Sequence, residues 1–385
     1  MNKLKITQYS ILIFLIISFS CSNKVKYKDA IIENYVDGDS ISYAKGFLIN
    51  RSIDYDIVTI KNPWQGAQNV EYKYALVKDT IINPKIDGNY NIIKTPVKKV
   101  VCLSTTHIAF IDVLNETETV VGISGTNYVN NSKIREKINK QKVVDVGYDN
   151  SLNFELIALL NPDLVITYGV GGQVASYNQK LNELGIQTII IAEYLENDPL
   201  GKLEWIKLFG ALYDKEDLAK NYFNKIKNEY QNLLALTEKK SNKPKVLFGL
   251  PYKDTWYVPG GNSFLAKMTA DAGGDYIWKS NESRESLPFD LESVFINASD
   301  AEIWLNNGTV LSKNDILKVD ERFEDFNPFI SGKIFNNNLM VNEFGGNDYW
   351  EKGLIEPHIV LKDMIKIFHP ELLPSHDLVY YKIIK

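Results

Sequence analysis

Residues 153–172 read NFELIALLNPDLVITYGVGG, and the pattern they carry returns 137 positions later. Asn153, Glu155, Ile157, Asp163 and Ile166 are answered in order by Asp290, Glu292, Val294, Asp300 and Ile303. In each copy a short polar residue able to cap a helix precedes an acid in the first turn, an apolar helix, an aspartate and an apolar strand. A helix leading into a buried strand, used twice, predicts two lobes of one class.

The residues around the first copy continue that texture. Residues 99–104 form an apolar strand, Thr105 or Thr106 can cap the helix HIAFIDVLN, and 119–124 form the next strand. Further strands are predicted at 143–147, 163–168 and 187–192, with helical patterns at 153–160 and 173–184 between them. Strands alternating with helices imply a parallel sheet covered on both faces. Leu218, Tyr222, Phe223, Ile226, Tyr230, Leu233 and Leu234 then recur at helical spacing. They predict one helix over 215–238, roughly 36 Å long at about 1.5 Å per residue, able to bridge two lobes. Strand texture resumes at 245–250 and 256–258, followed by a helix after Asn262, the second copy, a strand at 339–341 and a closing helix at 357–368.

The N-terminal part differs. Lys3 and Lys5 flank an apolar run over 11–17 too short to span a bilayer, so 1–20 are expected to be a signal peptide. Cys21, followed by the polar run SNKVKYKD, is expected to carry a lipid, with 21–42 as a tether, although Ser18 stands where lipoprotein signals usually have an aliphatic residue. The other reading is a secreted chain with an unmodified Cys21. A hairpin-like β appendage is predicted over 43–95, with alternating Val70, Tyr72, Tyr74 and Leu76 and with Trp64 at its turn. Cys102, in VVCLS, is expected to be a buried strand residue.

With 385 residues, 45% apolar and 24% charged, the chain can bury a full core. A net charge of −5 without a basic block argues against a nucleic-acid surface. GISGT and GGNSF are not nucleophile elbows, GVGGQ fits neither phosphate-loop pattern, and no HExxH occurs, so no enzyme is expected.

KTPVKKVVCLSTTHIAF, SLNFELIALLNPDLVITYG, GGNSFLAKMTADAGGDYIW and HIVLKDMIKIFHPELL, in this order, resemble the substrate-binding proteins of ABC importers for cobalamin, ferric siderophores and haem. The resemblance covers roughly residues 98–373. It implies an α/β fold of two lobes with mainly parallel sheets (98–212 and 244–385) joined by one long rigid helix (213–240), plus the small β appendage. It also implies a ligand that is an iron chelate, haem or cobalamin, with no intrinsic cofactor. The implied partners are an ABC permease with its ATPase, and the receptor would work as a monomer anchored in the periplasm. Glu155 and Glu292 stand where the family's permease-docking glutamates stand; read from the residues alone, each is an acid favoured at a helix start.

Loops leaving the carboxyl ends of parallel strands line the ligand crevice. Thr105, Thr106, His107, Tyr128, Tyr148, Tyr168, Gly169, Trp256, Tyr257, Tyr349 and Trp350 fall on such loops, and their aromatic members suit a large, partly apolar ring system or chelate. For each aromatic, simple packing is the other reading. Arg284 is the one arginine expected near the crevice. His107 is expected to be solvated or hydrogen-bonded at a helix start, axial ligation of haem iron or of a corrinoid cobalt being the other reading; no side chain set forms a metal site directly. A non-transport lipoprotein using the same fold as a sensor or interaction module is the alternative to delivery.

Overall fold

The computed structural model describes residues 40–52, 55–81, 86, 88–148 and 151–385. The signal segment, Cys21 and nearly all of the tether lie outside the described residues. Four strands open the described chain: β1 (Phe47–Asn50), β2 (Tyr55–Lys61), β3 (Glu71–Lys78) and β4 (Asn91–Thr95). The hairpin expectation matches β2 and β3, which pair antiparallel with Tyr55 opposite Val77. The sheet is larger than a hairpin: β1 adds antiparallel to β2, and β4 parallel to β3. A parallel partner arrives from a distance, so no turn signal announces it.

Two buried carboxylates fix this sheet to the body. Glu204 accepts the backbone N–H groups of Ser42, Tyr43 and Ala44 at 2.7–3.0 Å, and Glu196 accepts those of Lys45 and Gly46 at 2.8–3.0 Å. Lys207 Nζ completes the first group at 2.8 Å from Glu204. A charge out of water needs this density of donors.

The first lobe's sheet comprises β5 (Val100–Cys102), β6 (Val120–Ile123), β7 (Val144–Asp145), β8 (Leu164–Thr167) and β9 (Thr188–Ile190), in the order β7-β6-β5-β8-β9 and all parallel. The second lobe runs through β10 (Lys245–Phe248), β11 (Trp256–Val258), β12 (Asp275–Tyr276), β13 (Leu287–Phe289), β14 (Ile303–Leu305), β15 (Ile334–Asn336) and β16 (Lys382–Ile383). Its sheet has the order β12-β10-β14-β15-β16, with only β16 antiparallel, while β11 and β13 form a separate antiparallel pair. The strand predicted at 339–341 is a correction. The sheet takes β15 instead, because Ile334 pairs in register with Trp304, while Leu339, Met340 and Val341 stay more than 40% exposed. Three apolar residues in a row do not reveal which way they face.

Between the lobes lies the helix Glu216–Thr237, of 22 residues. Its buried Ala219, Phe223, Ile226, Tyr230 and Leu233 form a stripe at three- and four-residue spacing, packed against the helices Ile206–Leu212 and Pro357–Phe368. One core therefore runs from Phe47 and Val58 of the N-terminal sheet through Phe110, Phe209 and Phe223 to Val246 and Met364. Each lobe has a smaller second core on the other face of its sheet, around Val101, Ile157 and Val165 in one and Trp256, Trp304 and Phe323 in the other. Cys102 is fully buried and free, and burial pushes its thiol pKa far up, so it is inert packing. Among the described residues no helix is long and apolar enough to cross a membrane.

Candidate functional site

The carboxyl ends of β5, β8 and β9 converge on a polar floor beneath an aromatic rim. Ser104 Oγ lies 2.9 Å from Thr106 Oγ1 and accepts the Thr106 N–H at 3.3 Å, so Ser104 serves the helix start. Thr105, although at the cap position of the helix Thr106–Val113, makes no side-chain cap bond. Thr106 also faces Glu193, which lies three residues past the end of β9 and is buried; desolvation raises its pKa, with Thr106 and Lys202 pulling the other way. One Glu193 oxygen has no hydrogen-bond partner. Lys202 is pushed down to about 8 by desolvation, against the attraction of Glu193 and Glu196.

His107 departs from expectation. It is fully buried, neither ring nitrogen has a partner, and desolvation lowers its pKa to about 3. The reason is its helical face: His107 points inward with Ile108 and Phe110, under the ring of Tyr168 at 6.4 Å and beside Phe209 at 6.3 Å. A neutral imidazole enclosed this way offers no nitrogen to a metal in an open crevice. At Gly169 packing of the next helix already requires the glycine, since a Cβ there would meet the Val174 side chain at 2.5 Å.

Across the crevice, Lys202 Nζ stands 4.2 Å from the Phe264 ring, and Asn197 Nδ2 donates to the Asn262 carbonyl at 3.2 Å. Arg284, exposed, is close enough to lower the pKa of Glu196, whose burial raises it. The GGNSF glycines hold this wall. Carbonyls of Asn281 and Ser283 occupy the space a Cβ on Gly261 or Gly260 would need.

The other flank joins the segment after Tyr128 to Asn342 and Glu351. Glu351 accepts the N–H groups of Asn130 and Asn131, both at 2.8 Å, and Asn342 Nδ2 donates to the carbonyls of Asn127 and Val129 at 3.0 and 3.1 Å. Burial lifts Glu351 to about 7. Asp145 shapes the 125–128 loop by accepting from Thr126 N, Thr126 Oγ1 and Gly147 N at 2.8–2.9 Å; burial raises its pKa, and these bonds outweigh that and lower it. A recess of about 520 Å³ opens beside this contact, lined by Asn130, Ser132, Arg135, Glu136, Asn342 and Glu343.

Of the aromatic residues, Tyr128, Tyr148, Tyr168, Tyr257 and Trp350 present 36–55% of their surface to water. Trp256 and Tyr349 do not, and both are corrections. Trp256 is fully buried in β11, donates its indole N–H to the Phe248 carbonyl at 2.9 Å and stacks on Trp304 at 5.8 Å. Tyr349 is buried against Tyr380 and Tyr381. In both cases strand or helix alternation turned one of two adjacent aromatics inward, leaving Tyr257 and Trp350 outside. Glu193, Lys202, Asp145 and Glu351 were missed; Glu193 was within reach of the strand-end rule, since it follows the IIIA run.

Glu155 and Glu292 occupy the same place in the helices Phe154–Leu160 and Leu291–Asn297 and both are exposed. Glu155 makes no ion pair among the described residues. Glu292 is paired with Arg322 at 3.0 Å.

Residues 100–333 match the periplasmic binding protein family. The chain is 32% identical to the uncharacterized lipoprotein MJ0878 of Methanocaldococcus jannaschii over 78% of this chain and 72% of that protein. It is 30% identical to the uncharacterized lipoprotein MJ0872 of the same organism over 82% and 81%. Among solved structures, a periplasmic heme binding protein from Pseudomonas aeruginosa superposes with a TM-score of 0.56 at 15% identity, covering 75% of this chain and 98% of that one, a likeness of fold. Two lobes with parallel sheets, a connecting helix and these matches together make the chain a member of the periplasmic binding protein family.

Proposed function

We propose that this protein is a lipid-anchored receptor that captures a metal chelate or corrinoid (a ferric siderophore, haem or cobalamin) in the crevice between its lobes and delivers it to an ABC permease and ATPase. The observation that carries the reading is the set of exposed aromatic rings: Tyr128, Tyr148 and Tyr168 after the ends of β6, β7 and β8, Tyr257 in β11, and Trp350 in the helix Asp348–Glu351. Wetted aromatic surface is a cost that a planar or ring-rich ligand recovers by stacking. Lipidation at Cys21 agrees with the names of the relatives, which are lipoproteins, and periplasmic exposure with the name of the family. Glu155 and Glu292 serve as the docking points. The alternative, a sensor or interaction module, is favoured only if no permease and ATPase genes accompany this one.

Titration of the chain lacking residues 1–21 with cyanocobalamin, haemin, a ferric hydroxamate and a ferric catecholate, followed by tryptophan fluorescence, tests capture. Binding of one of them at micromolar concentration or below is expected. Failure of all four removes the proposal in this form.

A further inference from the structure

Each copy of the repeated unit carries a second surface feature one helical turn beyond its glutamate. Leu159 and Ile296 are 80% and 76% exposed, the two most exposed large apolar side chains among the described residues. They hold equivalent positions in the repeat, four residues after Glu155 and Glu292, so acid and aliphatic group share one helix face. The fold does not need them there. The inward face of each short helix is filled by Ile157 and Val294, both fully buried. A single exposed leucine carries no message, but the same outlier twice, each beside an exposed acid, is a patterned surface.

We propose that Leu159 and Ile296 are matched apolar knobs that seat, next to Glu155 and Glu292, in two sockets of the membrane permease, each socket offering a basic side chain beside an apolar hollow. This deepens the delivery reading above and rests on it. The acids select a basic partner by charge and steer its approach, and the knobs supply the buried contact that slows its departure. Because the feature is doubled, the partner presents the same socket twice. The two ends are not identical: Arg322 is bonded to Glu292 at 3.0 Å and lies 4.6 Å above the Phe295 ring, whereas in the first copy Lys180 Nζ stands 4.0 Å from the Phe154 ring and no ion pair is made to Glu155 among the described residues.

The test uses the full-length lipoprotein in membranes of the cell that makes it. A photoreactive phenylalanine analogue replaces Leu159 in one protein, Ile296 in a second and Leu311, 67% exposed but outside both helices, in a third. Crosslinks from positions 159 and 296 to one polytopic permease subunit, and none from 311, are expected. Crosslinking to another copy of this chain or to a soluble protein, or equal yield from 311, overturns the proposal. In parallel, Leu159→Asn with Ile296→Asn is expected to lower co-purification of the permease about tenfold, the loss typical of removing a buried interface anchor. If that variant retains the permease while Glu155→Gln with Glu292→Gln loses it, the knobs are wrong and delivery stands. If neither pair changes the yield, or the unaltered chain recovers no permease, delivery falls with them.

Discussion

The two copies of the repeated unit share a beginning and part at their ends. In the first, Asn153 Oδ1 accepts the Leu156 N–H at 2.9 Å; in the second, Asp290 Oδ1 accepts the Ser293 N–H at 2.7 Å. Both helices then expose a glutamate and an aliphatic side chain to solvent. Even the aspartates act alike, each meeting the start of its lobe's first strand. Asp163 accepts the backbone N–H groups of Lys98 and Lys99 at 2.8 and 2.9 Å, whereas Asp300 pairs with the side chain of Lys245. Past the strand the copies diverge. β8 opens into Tyr168 and a glycine loop at the crevice, while β14 closes into Asn306 and the fully buried Asn307. In the proposed function, the repeated geometry serves a surface presented twice, and the divergent end serves a ligand bound once.

Four outcomes test whether the two copies divide their work in this way. Glu155→Ala with Glu292→Ala is expected to reduce ligand uptake by roughly 100-fold or more while leaving ligand affinity unchanged, since truncating one partner of a contact charge pair costs about 2–5 kcal/mol. Of the single variants, Glu155→Ala is expected to show the larger loss, because Arg322 already engages Glu292. Uptake assays beside binding titrations read both.

The buried His107 has a folded pKa depressed to about 3 from 6.5, so its contribution to stability is full above pH 6.5 and is lost as pH falls toward 3. His107→Phe is expected to lessen the acid sensitivity of unfolding over that window by roughly 2–4 kcal/mol, measured by urea titration at several pH values. Equal pH slopes for the two proteins would show that the ring finds a partner on protonation.

Tyr168→Ala is expected to weaken ligand binding about 10- to 100-fold, the scale of one lost stacking contact in a crevice. At the first residue after β14, Asn306→Ala is expected to leave affinity unchanged. Fluorescence titration of both variants distinguishes them, and equal losses would make the second copy a ligand wall as well. Finally, Asn153→Ala should lower stability by about 1 kcal/mol through the lost cap, with uptake per folded molecule preserved. Denaturant midpoints check the first part and normalised uptake the second.

Most of the architecture was legible because it rests on local periodicity. The connecting helix, the closing helix Pro357–Phe368 and the strands around the first copy are written in which residues are apolar and how far apart they stand. The site was legible only as a set of loops. Whether Trp256 or Tyr257, Tyr349 or Trp350 faces the crevice depends on the orientation of β11 and of the short helix Asp348–Glu351, which adjacent aromatic residues do not disclose. The hairpin over 43–95 became a four-stranded sheet because β4 joins in parallel, and its attachment to the body through Glu196 and Glu204 joins segments about 150–160 residues apart.

By itself the sequence determined the elements, the doubling of the helix–strand unit and the presence of an acid at the head of each copy, because caps, charges and periods are properties of neighbours along the chain. Which faces are wet was set by the packing of distant segments. That packing buried His107 and Glu193 under the rim, turned Leu159 and Ile296 outward, and gave Arg322 to Glu292 but left Glu155 unpaired among the described residues. Burial and pairing are set by what the rest of the fold brings alongside a residue, and that is fixed only when the core closes.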